Sequence, residues 1–305
     1  MRAATTSTAF DRLLHLRSGR WALVVIGLLV AAAIVGPMLL GPGSEQLDIV
    51  RLASVPPSWS HPFGTDRYSR DLLARVLNGA RISLMVALLS VLFSITIGTA
   101  YGMVAGYFGG RIDNVMMRLL DGFLSIPRVL LLIAVLALWS PVQLPGLILL
   151  IGATGWFGLS RLVRAETLAA KRLDYVEAAR ALGAPSARII TRHLLPNVLG
   201  PVIVTATLAI GNVIALEAGL SYLGIGAREP TPSWGSIFFE GTEFLTSTWW
   251  IGFFPGIAIV ITVLAFNVLG DALRDVLDPR QLHGSEGQAA LAASTSTGTD
   301  QLKNG

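Results

Sequence analysis

The sequence contains no cysteine, which removes disulfides, thiolate metal sites and cysteine nucleophiles together. Lysine is almost absent: Lys171 is followed by Arg172 and Lys303 by Asn304. The Gly-Lys-Ser/Thr core of a phosphate-cradling P-loop therefore does not occur, and the chain cannot bind ATP through one. The histidines, His15, His61, His193 and His283, are too scattered for metal-ligand spacing. No HExxH motif, GxSxG elbow or pair of carboxylates within an apolar segment is present, which argues against an intramembrane enzyme. Charge is also scarce. Asp, Glu, Lys and Arg make up 14% of the 305 residues, against about 25% in a soluble domain.

The deficit is concentrated. Trp21–Ser44, Ile82–Gly110, Val129–Ser160, His193–Leu216 and Phe244–Gly270 carry no charged residue at all. Each exceeds the roughly 20 apolar residues that cross a bilayer core. The first run is too long for the ~7–15-residue apolar region of a secretory signal and reads as a retained span. The apolar stretch from Val115 to Ser160 is too long for one span, and Ser140-Pro141-Val142-Gln143-Leu144-Pro145-Gly146 divides it. Six spans follow, at about 21–40, 83–105, 115–139, 146–160, 196–216 and 249–269, an all-α polytopic membrane fold. Pro196 suits the first turn of span five.

Basic residues choose the side. Arg2, Arg12, Arg17 and Arg20, the loops around Arg111 and Arg161–Arg192, and the C-terminal tail place 16 on one face, against 6 on the other. Both termini are expected in the cytoplasm. Residues 1–20 then form a cytoplasmic tail, 21–282 the membrane domain, and 283–305, rich in Ser, Thr, Gly and Ala, a disordered tail. Trp21, Trp139, Trp249 and Trp250 fall at span ends, where indole rings suit the headgroup region.

Two segments between spans stand out. From Ser69, read as an N-cap, Leu72, Leu73, Val76, Leu77 and Ala80 share one helical face, predicting an interfacial helix before span two. The cytoplasmic loop 161–195 encodes an elbow. Asp174 can cap a short helix through Leu182, Gly183 can take the positive φ that ends it, and Pro185 suits the start of the next helix. Val176, Ala179 and Leu182 give the first helix an apolar face that needs covering. Spacing alone equally fits a solvated loop lying on the membrane.

Glu177-Ala178-Ala179, then Gly183, then Leu195-Pro196, resembles the EAA loop of binding-protein-dependent ABC importer permeases, although His193 replaces the usual aliphatic residue before Leu-Pro. His61-Pro62-Phe63-Gly64-Thr65-Asp66-Arg67 onward resembles the segment before span two in the C-type subunit of dipeptide, oligopeptide and nickel importers, with Ser69 where glycine is frequent. Glu217 to Gly224 followed by Pro230-Thr231-Pro232-Ser233-Trp234-Gly235, Trp249-Trp250 with Pro255-Gly256, and Asn267-x-x-Gly270-Asp271 with Asp278-Pro279-Arg280 resemble the same branch. The resemblance spans about 10–282.

It implies a type I ABC importer permease fold in a bacterial inner membrane, without enzymatic activity of its own. Expected partners are a second homologous permease, two ATPase subunits (or one fused) and an extracytoplasmic binding protein. No cofactor is expected on this chain, ATP and Mg residing on the ATPase. Tyr175, Val176, Glu177, Ala178, Ala179, Leu182 and Gly183 would form the coupling helix. Peptides are the expected cargo, with nickel, glutathione or another small solute as the alternative. A secondary transporter would need inverted repeats and midplane helix breaks, and no repeat is seen.

In span three, Arg118, Asp121, Ser125 and Arg128 recur by three- and four-residue steps, and Asn212 and Glu217 lie in the outer part of span five. Ionisable groups at membrane depth face the interior or a watery path. Asp121, Ser125, Arg128, Asn212 and Glu217 are therefore candidate path residues. An Arg118–Asp121 structural pair is the competing reading for those two, and interhelical packing for Asn212.

Overall fold

The computed structural model describes residues 9–41, 43, 45–139, 142–226, 231–242 and 247–277. The tail 283–305, the Asp278-Pro279-Arg280 motif, Pro230 and the Ser140-Pro141 part of the predicted turn lie outside them. Twelve α-helices are described: α1 (Ala9–His15), α2 (Arg17–Leu40), α3 (Ile49–Leu52), α4 (Leu72–Phe108), α5 (Gly110–Leu124), α6 (Arg128–Leu138), α7 (Leu144–Ala170), α8 (Asp174–Ala181), α9 (Ser186–Arg188), α10 (Leu195–Tyr222), α11 (Trp234–Thr242) and α12 (Trp250–Leu277). Five helical segments are long and apolar enough to cross a membrane, and a sixth crossing is reached if α5 and α6, bent by 72° at the break between them, count as one span.

Several helices exceed their predicted lengths because nothing in the sequence stops them at the membrane surface. The interfacial helix expected from Ser69 fuses with span two into the 37-residue α4. Its N-cap is not Ser69. Asp71 accepts from the Ala74 amide at 3.0 Å, whereas Ser69 sits buried at φ 62° and donates its hydroxyl to the Asp48 carbonyl. Span four continues to Ala170 and span six to Leu277, while α1 and the start of α2 occupy part of the expected tail. The loop 161–195 shrinks accordingly.

Span three is corrected more deeply. The helix stops at Leu124 and restarts at Arg128. Pro127 has no amide to donate and disfavours the helical region for Ile126, so the three- and four-residue steps from Asp121 to Arg128 do not define one face. Proline also shapes span five. Leu195 donates to Ile190, five residues back, and Ile189–Leu194 is a π-helical segment. Pro196 cannot supply the next four-residue bond, and its ring crowds the Arg192 carbonyl.

The centre of the bundle is the α4–α7 pair. Ser90, Ser94, Gly98, Gly102 and Gly106 recur every four residues along one face of α4. Ser90 and Ser94 donate to the carbonyls of Ile148 and Gly152 at 3.0 and 2.8 Å. A Cβ at Gly102 would come within 2.5 Å of the Ser160 carbonyl oxygen and 2.7 Å of Val163 Cβ. Small residues of this spacing let membrane helices meet backbone to backbone. α10 packs on α4 and α12, and α11 wedges against α4, α10 and α12. α2 lies on the outside, with Trp21, Leu28 and Met38 exposed.

The family-like segment at 61–75 forms a knot at the outer end of α4. Asp66 is 1% exposed and accepts from the amides of Tyr68 and Arg70 and from the guanidiniums of Arg70 and Arg75 at 2.6 and 2.8 Å. Arg75 bonds both oxygens of Glu240 on α11, at 2.7 and 2.8 Å. Trp250, expected at the interface, is instead 6% exposed and donates to the Thr65 carbonyl at 3.1 Å. Trp21, Trp139 and Trp249 remain exposed.

Candidate functional site: the elbow helix and the broken span

α8 leaves α7 after a three-residue link, Lys171-Arg172-Leu173. Leu173 is its N-cap residue, so Asp174 occupies the first helical position rather than the cap; its carboxylate there still favours the helix dipole. At the far end the Gly183 amide donates to Arg180 and the Ala184 amide to Ala179, at 3.0 and 3.1 Å, with Gly183 at φ 77°. This pair of reverse bonds is the Schellman arrangement, which a side chain at Gly183 would strain.

The two faces of α8 differ. Val176 is fully buried in an apolar cluster with Met103, Tyr107, Val163, Ile189 and Leu194. It anchors α8 to its own chain and is not free to contact a partner, a correction to the expected coupling set. Tyr175, Glu177, Ala178, Leu182 and Gly183 are exposed and Ala179 half-buried. Leu182 is 88% exposed, an outward apolar residue on a short helix. Asn197 donates to the Tyr175 hydroxyl and also to the His193 carbonyl, tying the elbow to α10.

The membrane end of the elbow is clamped. Arg164 on α7 grips both carboxylate oxygens of Asp113 on α5, a paired fork geometry, and Lys171 donates to the Tyr107 carbonyl. Asp121 pairs with Arg161 on α7 and not with Arg118. Arg161 was missed in the sequence, although it shares the Arg161–Arg164 spacing of one α7 face.

Arg128 opens α6 and lies partly exposed against α7. Its Nη2 donates to the Ile151 carbonyl at 2.8 Å and its Nε to the Thr154 hydroxyl at 3.2 Å. Ser125 is exposed and spends its hydroxyl on Gly122. α7 thus gathers Asp121 and Arg128, about 10 Å apart along its axis, at Arg161 and Thr154. Asn212 is exposed on α10. Glu217 is not: it is 0% exposed, held by Ser221 at 2.7 Å and Ser83 at 3.4 Å, and the Ser83 hydroxyl accepts from the Trp234 amide. The expectation that Glu217 lines a path gives way to a structural role, locking α4, α10 and α11 together.

Among the described residues no group of three or more His, Cys, Asp or Glu side chains could hold a metal ion.

Residues 98–283 match the family model described as "Binding-protein-dependent transport system inner membrane component". The chain is 43% identical over 269 residues to a putative peptide transport system permease protein of Brucella suis, covering 88% of this chain and 90% of that one. It is 41% identical to the dipeptide transport system permease protein DppC of Bacillus subtilis, covering 90% and 86%. With the oligopeptide transport system permease protein OppC of Escherichia coli it shares 39%, covering 88% and 89%. Among solved structures, an inward-facing form of the MetNI methionine ABC transporter superposes with a TM-score of 0.54 at 22% identity, over 66% of this chain and 95% of that one. That likeness establishes the fold. The matched family and the bundle of apolar spans agree, and the chain belongs to the binding-protein-dependent transport system inner membrane component family.

Proposed function

We propose that this permease forms half of the translocation path of an importer for di- and oligopeptides, driven by ATP hydrolysis on separate subunits. The observation that carries the reading is α8: a short helix seated on its own chain by Val176 while Tyr175, Glu177, Ala178 and Leu182 face outward. Such a face is suited to a groove on a partner, and the lack of a P-loop in the chain supports a separate ATPase as that partner. A second homologous permease, two ATPase domains and an extracytoplasmic binding protein complete the complex. This chain binds no cofactor; ATP and Mg belong to the ATPase. The basic-residue asymmetry puts α8 and both termini in the cytoplasm. Peptides are favoured over nickel or glutathione by the names of the relatives.

The test is uptake by the complete complex in proteoliposomes, with labelled short peptides and nickel offered in parallel. Peptide uptake requiring both ATP and the binding protein is expected. Nickel uptake alone overturns the cargo, and uptake independent of ATP overturns the mechanism. Glu177→Lys or Gly183→Pro is expected to leave the chain in the membrane and lower ATP-driven uptake at least about tenfold, since proline cannot take the positive φ at position 183. Normal transport by either variant removes α8 from the coupling route.

A further inference from the structure

We propose that Arg128 is a specificity residue of the path, which engages the C-terminal carboxylate of the peptide as it passes the break in span three; the proposal rests on the peptide reading above. Its position comes first. α6 has 11 residues, about 16 Å of helix, which is half of a ~30 Å hydrocarbon core. Thr154, against which Arg128 rests, is a similar distance from the start of α7 at Leu144. The guanidinium therefore lies near the bilayer midplane.

Its bonding comes second. The two contacts of Arg128 are to a neutral carbonyl and a neutral hydroxyl. Among the described residues no carboxylate lies within ion-pair distance. Elsewhere in the chain the buried Arg75 is matched by Asp66 and Glu240, and the partly exposed Arg164 by Asp113. An unmatched charge at membrane depth is costly and marks a path for a charged group. Arg128 uses one Nε–H and one Nη2–H, leaving the rest of a five-donor planar fork available. That fork fits a carboxylate with two parallel bonds.

Its surroundings come third. Ser125, Ile126, Pro127 and Val129 are all exposed, so the break opens outward from this chain. Gly155 leaves the space the guanidinium occupies, since a Cβ there would meet Arg128 Nη2 at 3.2 Å and crowd the Ser94 hydroxyl. α6 begins without a side-chain cap, so its first amides add positive potential at the same point.

The experiment compares trialanine with trialanine amide, each taken up by the complete complex in proteoliposomes with the binding protein saturated by the peptide tested. The wild-type complex is expected to favour the free acid by at least about tenfold, the worth of a charge-assisted bond pair. Arg128→Gln should bring the ratio close to one by lowering the free-acid rate more than the amide rate. Arg128→Lys keeps the charge without the fork and should give an intermediate ratio, and it serves if the glutamine variant fails to assemble. A wild-type ratio near one overturns the proposal, as does an equal fall of both rates in the variants, and peptide import itself survives either result. Failure of the wild type to import either peptide overturns the peptide reading and the proposal together.

Discussion

Arg75 shows how strongly one side chain is committed in this protein. It is 1% exposed and bridges Asp66, also 1% exposed, and Glu240. Removing the cation leaves both acids, one of them fully buried, dependent on Arg70 alone, and breaking a buried pair costs up to about 3–5 kcal/mol. Arg75→Met is expected to lower the unfolding free energy by that order in SDS titration of the detergent-solubilised chain; a change under about 1 kcal/mol would show that Asp66 and Glu240 are held by other means. By contrast, Arg161→Ala breaks a pair in which both partners are half exposed, and such pairs are worth about 0–1 kcal/mol. Little of this detail was legible beforehand. Periodicity gave this helix an apolar face of Leu72, Leu73, Val76, Leu77 and Ala80, but that does not say that another segment, α11, folds over Arg75. Glu217 was misread for the same reason: the serines that hold it, Ser83 and Ser221, come from different helices.

At the scale of the helix, apolar runs and proline punctuation made the spans readable. The run lengths gave six crossings, and Pro127 and Pro196 gave the physical causes of the break and of the π-helical turn once geometry was known. Helix ends were not readable, because α4 and α7 continue beyond the apolar runs as amphipathic helices covered by other parts of the chain. The four-residue ridge of Ser90, Ser94, Gly98, Gly102 and Gly106 was overlooked. Its signal was present as small residues at constant spacing in an apolar segment. Gly102→Leu should be the most damaging change on this ridge, since the backbone carbonyl of Ser160 and the Val163 side chain leave no room for a side chain. The expected outcome is loss of about 2 kcal/mol or more of stability, or of membrane accumulation. Gly122→Leu, where a Cβ meets nothing within 4 Å, should change neither. Equal tolerance at both positions would contradict the close α4–α7 contact.

For the whole molecule, the elbow was legible because Gly183 and Pro185 carry local backbone demands that one sequence displays. The path was not, because in the proposed assembly it forms between chains. The cysteine-free background makes a direct test of internal rigidity available. A Cβ at Gly98 would lie 3.3 Å from that of Leu159, close to the ~3.5–4.5 Å of a disulfide. Gly98→Cys with Leu159→Cys should oxidise readily and leave ATP-driven peptide uptake within about twofold, as for two helices that move as one body. Uptake that stops on oxidation and returns on reduction would mean that α4 and α7 slide during transport. The three-residue link between α7 and α8, with Val176 sunk into the cluster at their junction, then acquires a mechanical meaning. α7 has 27 residues, about 40 Å of stiff rod, splinted along its length by α4. A push on α8 has no slack to dissipate in. On the proposed coupling role of α8, displacement there is carried to the far end of the rod, and α4 and α7 would tilt together instead of bending.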